Sequence, residues 1–326
     1  MTIIARRPEP APPADGWLGQ LHELADRQPH RPALRHHHQG RWRQWSWRDL
    51  RTEADRLSQG LRAYRIGPGH TVAAQGELEP RLLLLALSAR LLGARVVAVP
   101  LNEPPDRIHL LAGGRNVRHV ILGAGSAGTW LAAPTSPVLF TTRDEELSHR
   151  RIVPYRLVRA GWGGREAHAR GVLLPGRGGH TVWLEESTDW SAAPDAVLRY
   201  WLDLGVGMTL PASLNLALAD RRQIRPRVLL LSRHRLRVLE DTLRAALPER
   251  FSSLAAARLL QRLGLDRVVG VEVLDDAGLP LRTSMLPSGA RQWLARLGIP
   301  LADEQDRGQL PAQGADNPLI LPLGSL

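Results

Sequence analysis

The chain has 326 residues, 43% of them hydrophobic, enough to bury a large core and to build two subdomains. It contains no cysteine, which excludes disulfides, thiolate zinc sites and cysteine nucleophiles together, and its net charge of +11 points towards anionic partners. The longest apolar run, Leu82–Leu87, is far short of the about 20 residues of a membrane span, and no apolar signal core follows Arg6-Arg7, so a cytoplasmic protein is expected.

Residues 1–15, with the proline run Pro8-Glu9-Pro10-Ala11-Pro12-Pro13, read as a flexible arm. His36-His37-His38 beside Trp42, Trp45 and Trp47 suggests metal binding, but consecutive histidines alternate faces in an extended strand, so three do not converge on one ion. From Leu50 onwards the spacing is helical. Leu50, Ala54, Leu57, Leu61 and Tyr64 form the apolar stripe, and the polar positions between them hold Arg51, Glu53, Asp55, Arg56 and Arg62. Ile66-Gly67-Pro68-Gly69 stops this helix. A short strand follows at Thr71–Ala74, then a second helix through Leu82–Leu87 to Leu91. Val96-Val97-Ala98-Val99-Pro100 predicts a strand buried on both faces. Strand–helix–strand is the unit of a parallel sheet with a right-handed crossover.

Val120-Ile121-Leu122 before Gly123-Ala124-Gly125-Ser126-Ala127-Gly128 mimics a dinucleotide loop, without the full glycine spacing or the acidic residue downstream that such a loop uses. Between Ala132 and Ala169, three prolines (Pro134, Pro137 and Pro154), a charged run over 143–146 and Gly161-Trp162-Gly163-Gly164 predict loops around one or two short strands. The composition shift sets a boundary near Pro134, giving subdomains over residues 16–133 and 134–326. Pro175-Gly176-Arg177-Gly178-Gly179-His180-Thr181, after Val172-Leu173-Leu174, reads either as a glycine-rich turn between strands or as a loop that cradles phosphate.

Residues 1–160 hold 23 arginines against 14 acidic residues, so most of the positive charge lies in the first half. A local cluster follows later: Arg221, Arg222, Arg225, Arg227, Arg233, Arg235 and Arg237. Two readings stand, GC-rich coding that favours arginine, or a surface for nucleic acid, anionic lipid or an acidic carrier protein. No helix-turn-helix, zinc-finger or RNA-binding signature accompanies the arginines, which makes nucleic acid the weakest of these.

Several segments together resemble a known family. Leu24-Ala25-Asp26-Arg27-Gln28-Pro29, Trp45–Leu50, Ala54-Asp55-Arg56-Leu57, Ile66–Ala73 and Leu91–Leu101 resemble the start of adenylate-forming enzymes, nearest to the long-chain acyl-CoA synthetase branch. Val197–Leu210 is similar to the helix and strand of the family's second subdomain. Ile224–His234 is similar to its strand-and-turn motif, and Ala290–Pro300 to the segment ahead of its adenine motif. The resemblance implies the large N-terminal α/β domain of this fold, with two mixed or parallel sheets and surrounding helices. It also explains His36-His37-His38 as part of a β-hairpin turning at Gln39-Gly40, and Gly123–Gly128 as the end of a sheet strand.

What the resemblance implies for chemistry is negative. Such enzymes join a carboxylate to AMP from ATP and then pass the acyl group to a thiol, using a magnesium carboxylate, a phosphate loop, an adenine pocket and a lysine from a mobile C-terminal domain. All 43 basic residues here are Arg, and the chain ends at Leu326, so neither that lysine nor the C-terminal domain is expected. The family's Tyr-Gly-Leu-Thr-Glu falls on Gln305-Asp306-Arg307-Gly308-Gln309, putting Gln309 where the magnesium ligand belongs. Its adenine-lining Gly-Gly-Ala-Pro falls on Arg282-Thr283-Ser284-Met285. The remnant phosphate loop would be Gly176, Arg177, Gly178, Gly179 and Thr181; no catalytic residue or metal ligand is assigned.

The expectation is therefore a degenerate acyl-CoA synthetase-like protein, not catalytic by itself. It would bind a partner, an acyl carrier protein or an active synthetase, or an acyl or nucleotide ligand, with ATP or AMP and magnesium only if the cleft is retained. The alternative is a split fatty acid or acyl-acid ligase completed by a C-terminal domain in trans.

Overall fold

The structure, a computed structural model, describes residues 14–123, 127–144, 149–160, 170–172, 181–247, 251–275, 277–299 and 301. Helix α1 (Ala14–Arg27) buries Trp17, Leu21 and Ala25, four residues apart on one face. Strands β1 (Pro32–His38) and β2 (Arg41–Ser46) form an antiparallel hairpin with His36 opposite Arg43. Its turn is Gln39-Gly40, both with positive φ (48° and 74°), the conformation that a two-residue hairpin needs to match strand twist.

Helix α2 (Trp47–Ala63) starts in a capping box: Asp49 N–H donates to Ser46 Oγ at 3.2 Å, and Ser46 N–H donates to Asp49 Oδ2 at 3.1 Å. It buries Leu50, Ala54, Leu57 and Leu61, the stripe expected from spacing. Glu53, expected on the polar face, is buried as well. Strand β3 (Thr71–Gln75) leads to α3 (Pro80–Leu91), which is apolar all round because it lies in the central core. Strand β4 (Arg95–Ala98) closes this first parallel unit. It departs from expectation. β4 is an edge strand whose Arg95 and Val97 are only half-buried, and the strand buried on both faces is its neighbour β3.

A 3-10 turn (Pro105–Arg107) and α4 (Ile108–Leu111) precede β5 (Val117–Leu122), which does end where the glycine run begins. Then come α5 (Ala127–Leu131), β6 (Val138–Thr141), β7 (Ile152–Pro154), α6 (Tyr155–Ala160) and β8 (Arg170–Val172). The second half runs β9 (Thr181–Leu184), α7 (Asp195–Leu204), β10 (Gly207–Leu210), α8 (Ala217–Ile224), β11 (Val228–Ser232), α9 (Arg233–Ala246), α10 (Ser253–Leu263), β12 (Gly270–Leu274) and α11 (Ser288–Arg296).

Two sheets result. One is five-stranded and parallel, in the order β4-β3-β5-β6-β7; the other is seven-stranded, β12-β11-β9-β10-β1-β2-β8, parallel except around β2. Pro134 falls between β5 and β6, which are adjacent strands of the five-stranded sheet, and the hairpin β1–β2 belongs to the seven-stranded sheet. The largest core cluster joins α1, α2, α3 and α7 to both sheets, with Trp47 and Trp201 fully buried in it. A second cluster packs α9, α10 and α11 on β11 and β12, and a third covers the outer face of the five-stranded sheet around Trp130.

Candidate functional site

Beyond the carboxyl ends of β1 and β10 in one sheet and β6 in the other lies a cavity of about 440 Å³. Ligands of open α/β sheets bind at such strand ends, because the loops that follow parallel strands all emerge there. Its first wall is the hairpin. Cross-strand pairing sets His36 and Arg43 side by side, and the His36 ring stacks on Trp45 with centroids 4.8 Å apart and planes 12° from parallel. Burial, reinforced by His38, Arg43 and Arg81, drives the His36 pKa down to about 3, so this imidazole is neutral at ordinary pH. Its Nδ1 is buried and has no hydrogen-bond partner among the described residues. His37 points to the opposite face, where Nδ1 lies 2.7 Å from Asp220 and the ring stacks on Trp42.

The second wall comes from α3, the end of β6 and α6. Thr142 donates its hydroxyl to Glu79, a carboxyl whose pKa burial raises. Arg81 donates to the Thr142 carbonyl at 2.8 Å and to Asp144 at 3.0 Å, with its guanidinium 4.7 Å over the Tyr155 ring. The Tyr155 hydroxyl donates to Glu53 at 2.8 Å, and Arg159 donates to the other Glu53 oxygen at 2.8 Å. Burial and the Glu53 charge hold the Tyr155 phenol well above its usual pKa. Each carboxylate on the wall is thus engaged. The Arg143 charge acts on Glu79 against the effect of burial, and among the described residues Arg43 has no carboxylate within ion-pair distance.

A second feature ties the sheets together. Leu78 N–H donates to the Glu186 carbonyl at 2.9 Å, Thr188 N–H to the Gly76 carbonyl at 2.9 Å, and Glu77 and Ser187 form an antiparallel bridge. The Glu186 side chain accepts from Ser232 N–H at 2.8 Å at the start of α9, with Arg235 at 3.9 Å. Burial nevertheless pushes this carboxyl up to about 7.

Of the residues singled out from sequence, Gly176, Arg177, Gly178 and Gly179 lie outside the described residues, as do Gln305–Gln309. Thr181 starts β9, with its backbone in register beside Gly207. The segment leaving β12 is the turn at Asp275, whose Oδ1 accepts from Ala277 N–H and Leu279 N–H at 2.8 Å each; Arg282–Met285 come later, with a 3-10 turn at Thr283–Met285. The arginine cluster disperses. Arg221 is buried against Glu185 at 2.9 and 3.0 Å, and Arg225 lies 3.5 Å from Asp266. Arg227 and Arg233 flank the five-residue strand β11, about 20 Å apart along it. Sequence reading missed Glu79, Arg81, Arg143, Tyr155 and Glu186 as site residues. Glu53 carried a signal, since it lies three residues after Leu50 and four before Leu57, on the buried stripe.

Among the described residues no group of three His, Cys, Asp or Glu could hold a metal ion, and no helix is long and apolar enough to cross a membrane. Residues 21–157 match the family model described as AMP-binding enzyme. No curated protein matches the sequence. An acyl-CoA synthetase of Brucella canis superposes with TM-score 0.62 at 19% identity, covering 91% of this chain and 57% of that one. Acetoacetyl-CoA synthetase from Streptomyces lividans gives 0.59 at 14% identity, covering 87% and 50%. The inhibitor-bound N-terminal domain of FACL13 from Mycobacterium tuberculosis gives 0.57 at 14%, covering 87% and 74%. The chain spans between half and three-fifths of the first two proteins' length. At these identities the likeness shows the fold, that of the N-terminal domain of adenylate-forming enzymes, as the sequence resemblance implied.

Proposed function

We propose, from the premise that this chain carries the N-terminal fold of adenylate-forming enzymes, that it is a non-catalytic relative of the AMP-forming acyl-CoA synthetases and acts by binding. What it binds is a partner, such as an acyl carrier protein or an active synthetase, or an acyl or nucleotide ligand. The observation that carries this reading is the donor set at the positions where the family's chemistry sits. Gln309, at the position that the resemblance aligns with the family's magnesium ligand, offers a neutral amide where a hard cation wants an anionic oxygen. That amide does not fit magnesium. A cytoplasmic setting belongs to the same reading and is compatible with the absence of cysteine.

The test is AMP release by the purified chain with ATP–magnesium and a fatty acid, together with calorimetric titration of a non-hydrolysable acyl-adenylate mimic. No carboxylate-dependent AMP is expected, and its appearance would overturn the reading. Saturable binding of the mimic would support a retained ligand cleft; no binding would turn the search to protein partners. AMP release only after adding a lysine-bearing C-terminal domain would favour the split ligase.

A further inference from the structure

We infer that the amino-terminal end of the five-stranded sheet is a docking face for a partner protein, whose acidic side chains meet Arg62, Arg65, Arg115, Arg118 and Arg150 around the exposed Leu110 and Leu111. This rests on the reading above only in that the chain acts by binding a partner, and it names the face and its chemistry.

Topology gathers the charge. All five strands of this sheet are parallel, so the segments leading into them end at one face. Those segments are 64–70, 92–94, 112–116, 132–137 and, just before β7, 149–151; none contains Asp or Glu. Arg62 in the last turn of α2 and Arg118 near the start of β5 lie at the same end. The five arginines are exposed and make no ion pair among the described residues. Their surroundings are basic too. The His70 ring is 6.3 Å from that of His119, next to Arg118, and burial followed by the Arg115 charge holds the Arg95 guanidinium below its usual pKa. Two strand spacings, about 10 Å, separate the starts of β5 and β7 and so bring Arg150 to the same end. Acidic residues stand elsewhere. Glu77, Glu79, Glu103 and Asp144 follow the strands at the opposite end, and Asp195, which acts on Arg95, lies 3.4 Å from the buried Arg90.

The neighbouring residues choose a protein as the occupant. Helix α4 ends four residues ahead of Arg115 and leaves Leu110 61% and Leu111 38% exposed. Apolar contact ringed by polar and charged groups is the anatomy of a protein interface, where arginine is enriched, and complementary charge steers the encounter. A bilayer fits less well, because α4 has four residues and is too short for the amphipathic helix that beds into a membrane surface. A single nucleic-acid strand fits less well for want of a stacking platform. Tyr64, the one Tyr, Phe or Trp in these segments, is half-buried and packs edge-on against Phe140.

The experiment titrates the full chain with a labelled synthetic helical peptide that carries glutamates around a leucine stripe, read by fluorescence anisotropy. Salt is held at about 0.15 M, where the fields of remote charges are screened. Saturable binding is expected, weakened tenfold or more when the peptide's glutamates become glutamines. The variant Arg62→Gln/Arg65→Gln/Arg115→Gln/Arg118→Gln/Arg150→Gln should also lose tenfold or more. The charge-matched variant Arg233→Gln/Arg237→Gln/Arg258→Gln/Arg262→Gln/Arg267→Gln removes exposed arginines from α9, α10 and the turn that follows, and should bind as the unmodified chain does. On the unmodified chain, hydrogen exchange should slow at 62–70 and 112–118 when the peptide binds, a readout that needs no variant. No saturation, equal losses in the two variants, or protection confined to other segments overturns the inference. So does tighter binding of a single-stranded oligonucleotide, duplex DNA or phosphatidylglycerol vesicles through the same arginines, which would reassign the face to nucleic acid or lipid. AMP release in the test above would end the non-catalytic reading and leave this face standing; loss of peptide binding leaves that reading with its ligand cleft.

Discussion

Thr188 and Gly76 exchange two hydrogen bonds across the space between the sheets: Gly76 N–H donates to Thr188 Oγ1 at 3.0 Å, and Thr188 N–H donates to the Gly76 carbonyl at 2.9 Å. The same hydroxyl donates to the Val99 carbonyl at 2.6 Å, so one side chain satisfies groups from two loops that follow neighbouring strands. Thr188→Val keeps the shape and strands both groups in a buried setting. A loss of about 2–3 kcal/mol in stability is expected, from the cost of unsatisfied buried polar groups. Urea denaturation, read as a lower midpoint at unchanged slope, measures it; an unchanged midpoint would remove the hydroxyl from the account.

Gly76→Ala probes the same junction by sterics. Gly76 has φ +155°, and a Cβ there would lie 2.8 Å from Gly123 Cα and 2.9 Å from Gly123 N, backbone that cannot move aside as a side chain can. Destabilisation of at least about 2 kcal/mol is expected. Thermal unfolding of this variant should show a drop that a substitution at the exposed Gly16, with nothing within 4 Å, does not.

Glu53 is the buried anion that holds Tyr155 and Arg159. Glu53→Gln leaves a mostly buried guanidinium facing a neutral amide and should cost on the order of 3 kcal/mol. Tyr155→Phe removes one hydrogen bond and should cost about 1 kcal/mol. If the two variants unfold at the same denaturant concentration, the ion pair contributes nothing beyond the phenol.

Glu186 sets a pH dependence. Its folded pKa, about 7, lies above the ordinary 4.5, so between these values the folded state binds more protons than the unfolded state, and stability falls as pH rises. Below about 4.5 both states are protonated and the penalty is absent; above about 7 it is complete. Glu186→Gln keeps an acceptor for Ser232 N–H without the charge. The variant should match the wild type near pH 4.5 and exceed it by on the order of 2–3 kcal/mol near pH 7.5. Denaturation curves across that range decide it, and a difference that shrinks as pH rises would reverse the assignment. Asp195, raised to about 6 by burial despite Arg90, adds a fall of the same sign in both proteins.

Much of the fold was legible in local residues. The stripe Leu50–Leu61 and the stop at Ile66–Gly69 are where spacing placed them, and the turn Gln39-Gly40 is where the family resemblance placed it; all three depend on contacts within a turn or two of chain. β4 was misjudged because β-branched residues mark a strand without saying whether it has one neighbour or two. The boundary at Pro134 followed composition, whereas β6 follows β5 into the same sheet for hydrogen bonds that composition does not encode. The arginine cluster was close in sequence and dispersed in space because a strand carries its two ends apart.

By itself the sequence determined helices α2 and α3 and the likeness to adenylate-forming enzymes, since periodicity and residue type are properties of a few neighbouring positions. Only the tertiary structure decided that β1 pairs with β10, that Glu53 is buried beneath Tyr155, and that Arg43 on one wall and Arg143 on the other line a single cavity. Those relationships join residues some hundred or more positions apart, and strand pairing and burial, not local preference, bring them together.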